Sequence, residues 1–190
     1  MKVVAIGGST RPESGTQLVL DRVLGALGDR GADCRLFAGA DLALPPYEPG
    51  IVPVPAAERI IEAARESDAV LIGSPGYHGS LSGLVKNALD YLEALRDDAR
   101  PYLSDRPVGL VVTAYGWQAA VTTLTALRQI VHALRGWPAP LGIAVNVADL
   151  PEGLEAALAA PALDGRVEEL ARQVASAAHA FALARVEAAS

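Results

Sequence analysis

Residues 7–16 read GGSTRPESGT and are dense in groups that bind phosphate. The glycine pair lets a ligand approach the backbone closely, and backbone N–H groups at the start of a following helix favour an anion. Hydroxyls and a forked guanidinium suit phosphate oxygens. The side chains of this kind that we take as candidates are Ser9, Arg11, Ser14 and Thr16. The composition and position of this loop predict a phosphate site.

A plain helix start explains part of the same stretch without any ligand. Ser14 and Gln17 have the spacing of a capping box, in which the serine caps the helix. This alternative leaves Ser9, Arg11 and the glycine pair without a role, and one hydroxyl can serve both the helix and a phosphate. The spacing matches neither GxxxxGK[ST] nor GxGxxG, which argues against a P-loop nucleotidase and a Rossmann dinucleotide site.

A second loop, GSPGYHGS at 73–80, has glycines that would expose backbone amides to the edge of a flat heteroaromatic ring. Tyr77 and His78 would border that ring or a second substrate, although His78 is equally explained as a surface histidine or one bonded to a carbonyl. The sequence has no GxSxG elbow and no cluster of His, Cys, Asp and Glu with metal-ligand spacing. We predict neither a catalytic nucleophile nor a metal site.

Five short apolar runs predict strands that are covered on both faces. They lie at Val3–Ile6, Cys34–Phe37, Ala69–Ile72, Val108–Val112 and Leu141–Val147. Five helical stripes alternate with them, the strongest over 81–95 and others near 19–27, 60–64, 121–134 and 163–181. This alternation predicts an α/β fold with a doubly wound parallel sheet between two helical layers, in one domain over residues 1–190.

Open α/β sheets bind ligands beyond the carboxyl ends of their strands, where the strand order reverses. Two orders are common for five strands. In the order 2-1-3-4-5 the crevice is lined by the loops after strands 1, 3 and 4. Those loops are 7–16, 73–80 and 113–118, and all three are rich in glycine and hydroxyl groups. We therefore expect them to build one site.

Composition and charge exclude several other classes of protein. The formal net charge of −6 and the lack of a basic, aromatic-rich stretch oppose nucleic-acid binding. A single cysteine, Cys34, excludes an internal disulfide framework. The start MKVVAIGG shows neither a signal peptide nor a membrane span, so we expect a cytoplasmic, soluble protein.

The stretches GGSTRPES and SPGYHGSLSGLVKNALDYL resemble the NAD(P)H-dependent FMN reductase family of flavodoxin-like proteins. The family pattern is G-S-x-R-x-x-S-x-N after strand 1 and S-P-x-Y-x-x-S-x-P-G-x-L-K-N-A-L-D after strand 3. The resemblance covers about residues 1–150. It implies a flavodoxin-like sheet of order 2-1-3-4-5 and the cofactors FMN and NAD(P)H.

The resemblance also assigns roles to individual residues. Ser9, Arg11, Ser14 and Thr16 would hold the FMN phosphate. The residues that would run along the isoalloxazine are Pro75, Gly76, Tyr77, His78 and Gly79, and those that would cover its other edge are Thr113, Ala114, Tyr115 and Gly116. Hydride would pass from nicotinamide C4 to flavin N5, with backbone N–H groups at 76–80 stabilising negative charge near N1 and C2=O.

Three departures from the family pattern stand out. Thr16 replaces the usual Asn, and Gly76 and Ser82 replace a common Glu and a common Pro. The third loop lacks a glycine run and instead offers Tyr115 and Trp117, as an acceptor-pocket wall or as packing against a partner subunit.

The resemblance predicts an NAD(P)H-dependent reductase that delivers reduced FMN, with a flavin-dependent monooxygenase as a partner that would receive it. Two alternatives stay open. One is an FMN-bound reductase of a quinone, azo, nitro or biosynthetic acceptor, and the other is a flavodoxin-type electron carrier. Apolar positions beyond one face of 81–95 and 118–135 predict a homodimer or homotetramer, with the flavin site near a subunit boundary.

Overall fold

The computed structural model describes residues 1–11 and 14–188 of the 190-residue chain; Pro12 and Glu13, which belong to the predicted phosphate loop, lie outside the described residues. The strands are β1 (Lys2–Gly7), β2 (Asp33–Phe37), β3 (Ala69–Tyr77), β4 (Ser80–Leu81), β5 (Pro107–Ala114) and β6 (Trp137–Asn146). The α-helices are α1 (Gly15–Gly28), α2 (Pro55–Glu66), α3 (Gly83–Asp90), α4 (Trp117–Ala133), α5 (Gly153–Ala159) and α6 (Pro161–Ala188).

Five strands form a parallel sheet in the order β2-β1-β3-β5-β6, and the short β4 pairs antiparallel with β3. Counted along the chain, the parallel strands have the order 2-1-3-4-5, so the predicted topology is confirmed. The order reverses between β1 and β3. This reversal places the loops after β1 and β3 next to each other at one edge of the sheet.

Alternating side chains of each strand enter two separate cores. Val4 and Ile6 of β1 pack in the core formed with α2, α3 and α4, whereas Val3 and Ala5 pack in the core with α1, α5 and α6. Both faces of the sheet are thus covered by helices, which explains why its strands read as continuous apolar runs. No helix of the described part of the chain is long and apolar enough to span a membrane.

The third strand is longer than its apolar run. We predicted residues 73–80 to be a loop, but β3 continues through Tyr77 and turns back into β4. His78 and Gly79 occupy the two turn positions with φ of 50° and 84°. Positive φ at both central residues is the mark of a type I′ turn, whose twist suits a two-residue hairpin. The turn geometry therefore accounts for Gly79 and for the polar His78 in this stretch.

The helix predicted over 81–95 is shorter in the structure. Leu81 pairs with Gly76 in the hairpin, so α3 begins at Gly83, and after Asp90 the chain tightens into a 3₁₀ turn over Tyr91–Leu95. The last strand begins at Trp137, earlier than predicted. Two prolines follow Trp137 and interrupt the apolar run on which the prediction was based. Prolines are tolerated there because β6 is the edge of the sheet.

The close approach of β1 and β3 gives a test of the fold. Gly7 pairs with Gly73, and a Cβ on Gly7 would lie 2.1 Å from the Gly73 carbonyl oxygen. Because a backbone atom cannot move aside alone, we expect Gly7→Ala to lower the free energy of unfolding by about 3 kcal/mol. Gly25→Ala is the matched control, since Gly25 is an exposed residue of α1 with open space around it. That change should stabilise by about 0.5–1 kcal/mol. Urea denaturation measures both, and equal stability of the two variants would contradict this close packing.

Candidate functional site

A cavity of about 250 Å³ opens at the carboxyl ends of β1, β3 and β5. Ten of the thirteen predicted site residues line it, namely Ser9, Arg11, Ser14, Thr16, Pro75, Gly76, Tyr77, Thr113, Ala114 and Tyr115. The three loops expected to meet therefore meet. The other three predicted residues, His78, Gly79 and Gly116, are not part of the lining.

Ser9 and Ser14 are the buried hydroxyls of the first loop, with 8% and 6% of their surface exposed. The Ser9 Oγ accepts a hydrogen bond from the Arg11 backbone N–H, and the Ser14 Oγ accepts one from the Gln17 N–H, both at 3.3 Å. The second bond confirms that Ser14 caps α1. Neither hydroxyl donates to another described residue. Because each hydroxyl carries one proton, both keep it for a ligand in the cavity.

Thr16 and Thr113 join the first and third loops directly. Their hydroxyl oxygens lie 2.6 Å apart in a buried hydrogen bond between the first turn of α1 and the end of β5. One hydroxyl must donate to the other, so the pair keeps a single proton with no acceptor among the described residues. The serine and threonine residues thus give the cavity four hydroxyls with three protons to donate.

Arg11 adds a positive charge to the rim of the cavity. Its side chain is exposed, and its guanidinium makes no hydrogen bond or ion pair within the described part of the chain. The start of α1 lies beside it, where Gly15 and Thr16 line the cavity. The first N–H groups of a helix lack intrahelical acceptors, so this end of α1 adds partial positive charge. The whole set is matched to an anion with several acceptor oxygens.

The hairpin presents one side chain to the cavity, that of Tyr77, which is 52% exposed. His78 is exposed at the turn and does not reach the cavity, so its predicted place beside the ligand is not supported by the lining. Ser74 fixes the hairpin instead, because its fully buried hydroxyl donates to the Pro75 carbonyl and accepts from the Ser82 N–H.

The departures from the family pattern at Gly76 and Ser82 have local explanations. A Cβ on Gly76 would lie 3.0 Å from the Thr123 Oγ1 and 3.1 Å from the Ala119 carbonyl oxygen, so even alanine would require α4 to shift by a few tenths of an ångström. Ser82 is the N-cap of α3, and its Oγ accepts from the Leu84 N–H. Both residues thus fit a hairpin that is held tightly between α3 and α4.

Tyr115 and Trp117, proposed together as a wall, belong to different cavities. Tyr115 is 81% exposed and lines the first cavity. Trp117 lines a second cavity beyond β6, and its indole Nε1 donates to the Asp149 carboxylate at 2.6 Å. The backbone turns into α4 between the two rings, which separates them. Only Tyr115 is placed to contact a ligand held by the first loop.

Four lining residues were missed by the sequence reasoning, namely Gly15, Leu18, Val147 and Leu154. Leu154 belongs to α5, a helix we did not predict. The signal was present, because Leu150, Leu154 and Leu158 follow one another at four-residue spacing. Val147 follows the last strand, whose carboxyl end lies at the same edge of the sheet.

Residues 1–149 match the NADPH-dependent FMN reductase family, which is more than half of the chain. The chain belongs to this family. It is therefore an oxidoreductase that uses FMN and NADPH, and the resemblance noted in the sequence is confirmed.

Individual relatives of this reductase agree with the family. An FMN-dependent NADPH-azoreductase of Staphylococcus saprophyticus is 34% identical over 160 residues, which cover 78% of this chain and 79% of the relative. FerB, a flavoenzyme NAD(P)H:(acceptor) oxidoreductase of Paracoccus denitrificans, has a TM-score of 0.71 at 21% identity and covers 92% of this chain and 97% of its own. An azoreductase of Bacillus anthracis has a TM-score of 0.59 at 14% identity, with 90% and 97% covered. The two solved structures show the shared fold.

The residues present in the reductase fit the phosphate of FMN. A phosphate dianion presents several acceptor oxygens, and the cavity offers unused hydroxyl protons, a helix start and an arginine. A Cβ on Gly15 would lie 3.1 Å from Leu154 Cδ2, so the helix start and α5 already touch at the cavity wall. Thr16, which replaces the usual Asn, still places a polar group at this end of the cavity, where its hydroxyl is hydrogen-bonded to that of Thr113.

The Thr16–Thr113 pair makes a stability prediction. Thr113→Val leaves the buried Thr16 hydroxyl without its partner, so we expect the free energy of unfolding to fall by about 1–3 kcal/mol. The double variant Thr16→Val/Thr113→Val removes both polar groups and should recover most of that loss. Thr125→Val, at an exposed threonine of α4, is the control. Urea denaturation of FMN-free protein measures these three and the single variant Thr16→Val, and a double variant with the summed loss of the two single changes would contradict the pairing.

Proposed function

We propose that this reductase keeps FMN bound between turnovers and uses NADPH to reduce an organic acceptor, with aromatic azo compounds and quinones as the acceptor class. The observation that carries the proposal is the set of buried hydroxyls at the phosphate end of the cavity. Donors that are already oriented by protein hydrogen bonds lose little freedom on binding, which favours tight retention. The named activity of the azoreductase relative supports the choice of acceptor.

The proposed roles of the binding residues follow from their contacts. Ser9, Ser14 and the Thr16–Thr113 pair donate to phosphate oxygens, and Arg11 closes the site from the exposed side. Bound FMN would supply the chemistry of hydride acceptance and donation. No side chain needs to act as a nucleophile or as an acid–base pair for that chemistry.

The chain's own groups near the proposed flavin ring are backbone and aromatic. Pro75, Gly76 and Tyr77 border the cavity from β3, and Ala114 and Tyr115 border it from the end of β5. Backbone N–H groups of the hairpin are the proposed partners for negative charge on the reduced ring. At about 250 Å³ the cavity is smaller than the roughly 300–1,000 Å³ of sites that bury a drug-sized ligand. A flavin nucleotide would therefore extend along the exposed tyrosines.

The same exposure favours a second candidate, in which FMN is a substrate and leaves reduced. Tyr77 and Tyr115 are 52% and 81% exposed, so a ring lying beside them would have an open path to solvent. In that case a flavin-dependent monooxygenase is the class of partner that would take up reduced FMN. The buried phosphate donors weigh against this candidate, because fast release requires weak binding.

The proposal extends to assembly and cellular setting. Trp117 and Val121 lie one turn apart on α4 and are 52% and 53% exposed, with the exposed Tyr115 just before them. We propose that this apolar surface pairs two copies of the chain in a homodimer, and that a homotetramer would be a dimer of such dimers. The protein would act as a single domain over residues 1–190, in the cytoplasm, where NADPH is available.

The phosphate role of Arg11 is tested by its removal. We expect Arg11→Ala to weaken FMN binding by about 1.5–3 kcal/mol, the usual size of a charge-assisted hydrogen bond. Arg22→Ala is the matched control, because Arg22 is an exposed arginine of α1 that pairs with Asp164 outside the cavity. Fluorescence titration of FMN measures both affinities. An Arg11 variant within about twofold of wild type would contradict the role.

The colour of the purified protein and its response to added FMN distinguish a bound FMN cofactor from an FMN substrate. A retained cofactor predicts a yellow protein whose azo or quinone turnover with NADPH hardly changes when FMN is added. A substrate role predicts a nearly colourless protein in which NADPH oxidation rises with added FMN until it saturates. Absorbance near the flavin band and anaerobic NADPH titration, with and without added FMN, give the answer. The colourless result would overturn retention.

The proposed dimer surface is tested by a charge in its centre. We expect Val121→Asp to shift the protein to monomer, because burying an unpaired carboxylate at an interface is strongly unfavourable. Val52→Asp is the control, at a valine that is 80% exposed in the segment before α2. Sedimentation velocity at micromolar concentration measures both. A wild-type protein that is already monomeric would contradict the assembly.

A further inference from the structure

A second cavity of about 240 Å³ lies beyond the carboxyl end of β6 and shares no lining residue with the first. Its walls come from β6, the turn after it, α5 and the start of α6, and they are mainly apolar, with Ala157 and Leu163 among them. The indole of Trp117 forms one side. An apolar cavity of about 150 Å³ is enough to hold benzene, so this one has room for a single substituted ring.

Two hydrogen-bond donors in this cavity have unused capacity. Asn146 is 6% exposed, and its Oδ1 accepts from the Ala148 N–H at 3.2 Å. Its amide Nδ2 has no acceptor among the residues that the structure describes. The Nδ2 atom is not among the buried polar atoms that lack a partner, so water reaches it at the cavity wall, and a ligand oxygen would take the place of that water.

Arg166 is the second donor. The side chain is half-buried, and its one hydrogen bond within the described chain is a long one, 3.4 Å from Nη2 to the Gly142 carbonyl oxygen. It forms no ion pair with any described residue, unlike its helix neighbour Arg172, which pairs with Glu169. A guanidinium has five N–H groups in a planar fork that suits a carboxylate.

One acidic group also lines the cavity, and its charge opposes an anion. Asp149 is exposed, and its carboxylate accepts from the Trp117 indole at 2.6 Å. That bond holds the indole against the cavity. Solvent exposure weakens the repulsion from Asp149, whereas Arg166 is partly shielded from water.

We propose that this second cavity binds a monocyclic aromatic carboxylate. The ring would pack against Trp117 and the small apolar side chains, and the carboxylate would accept from Arg166 and from the Asn146 amide. The site does not depend on the proposed FMN chemistry, because the FMN cavity has a different lining. Trp117 is nevertheless shared with the proposed dimer surface. The segment from Val147 to Leu154 also runs between the two cavities, since both of those residues line the first cavity while Asp149 and Leu150 line the second.

The test is equilibrium dialysis of the full-length protein against radiolabelled benzoate, with and without saturating FMN. We expect one benzoate per chain under both conditions. Arg166→Gln should weaken binding by at least about tenfold, and Ala157→Leu should abolish it by filling the cavity. Arg172→Gln, which alters an arginine of the same helix outside the cavity, should bind as wild type. Asp149→Asn should bind benzoate more tightly, because it keeps an acceptor for Trp117 without the charge.

Each contrary outcome has a distinct meaning. Absence of benzoate binding at millimolar concentration, or equal affinity in Arg166→Gln and wild type, would overturn the proposal. Loss of benzoate when FMN is added would also overturn it, since the ligand would then occupy the first cavity. Benzyl alcohol binding as tightly as benzoate would show that the carboxylate is not recognised. Thermal unfolding of each variant confirms that it is folded, and FMN titration separately reports whether the flavin site itself is present.

Discussion

The hydrogen bond between Thr16 and Thr113 joins parts of the chain that are 97 residues apart, at the edge where the site forms. It ties the first turn of α1 to the end of β5, so the phosphate loop cannot shift relative to the third loop without breaking a buried polar contact. Next to it, the backbone of β1 lies against that of β3 at Gly7 and Gly73. Thr16 and Thr113 both line the cavity, so their bond fixes the distance between two of its walls.

The two ends of the first cavity are built from different kinds of group. The proposed phosphate end is built from buried hydroxyls that are already engaged in protein hydrogen bonds, whereas the proposed ring end is built from a hairpin and exposed tyrosines. Such an arrangement suits the proposed function, in which retained FMN meets two different substrates in turn. Gly76 lines this cavity while its Cα packs closely against α4.

The region after β6 connects the candidate FMN cavity to the newly proposed one. The 3₁₀ turn over Val147–Asp149 and the helix α5 contribute to both cavities from opposite sides. The hydrogen bond from Trp117 to Asp149 links this region to the start of α4. A ligand in the second cavity would therefore contact elements that also shape the wall of the first.

Local sequence pattern was sufficient for the five parallel strands, for the helix cap at Ser14 and for the meeting of three loops, because apolar periodicity and parallel topology together dictate which strand ends converge. It was insufficient where partners distant in the chain decide the outcome. Only tertiary packing turned residues 73–80 into a hairpin, allowed prolines in the edge strand β6, and placed Tyr115 and Trp117 in different cavities. The pairing of Thr16 with Thr113 is of the same kind, since a hydroxyl's partner is chosen by distance in space and leaves no mark in the sequence around it.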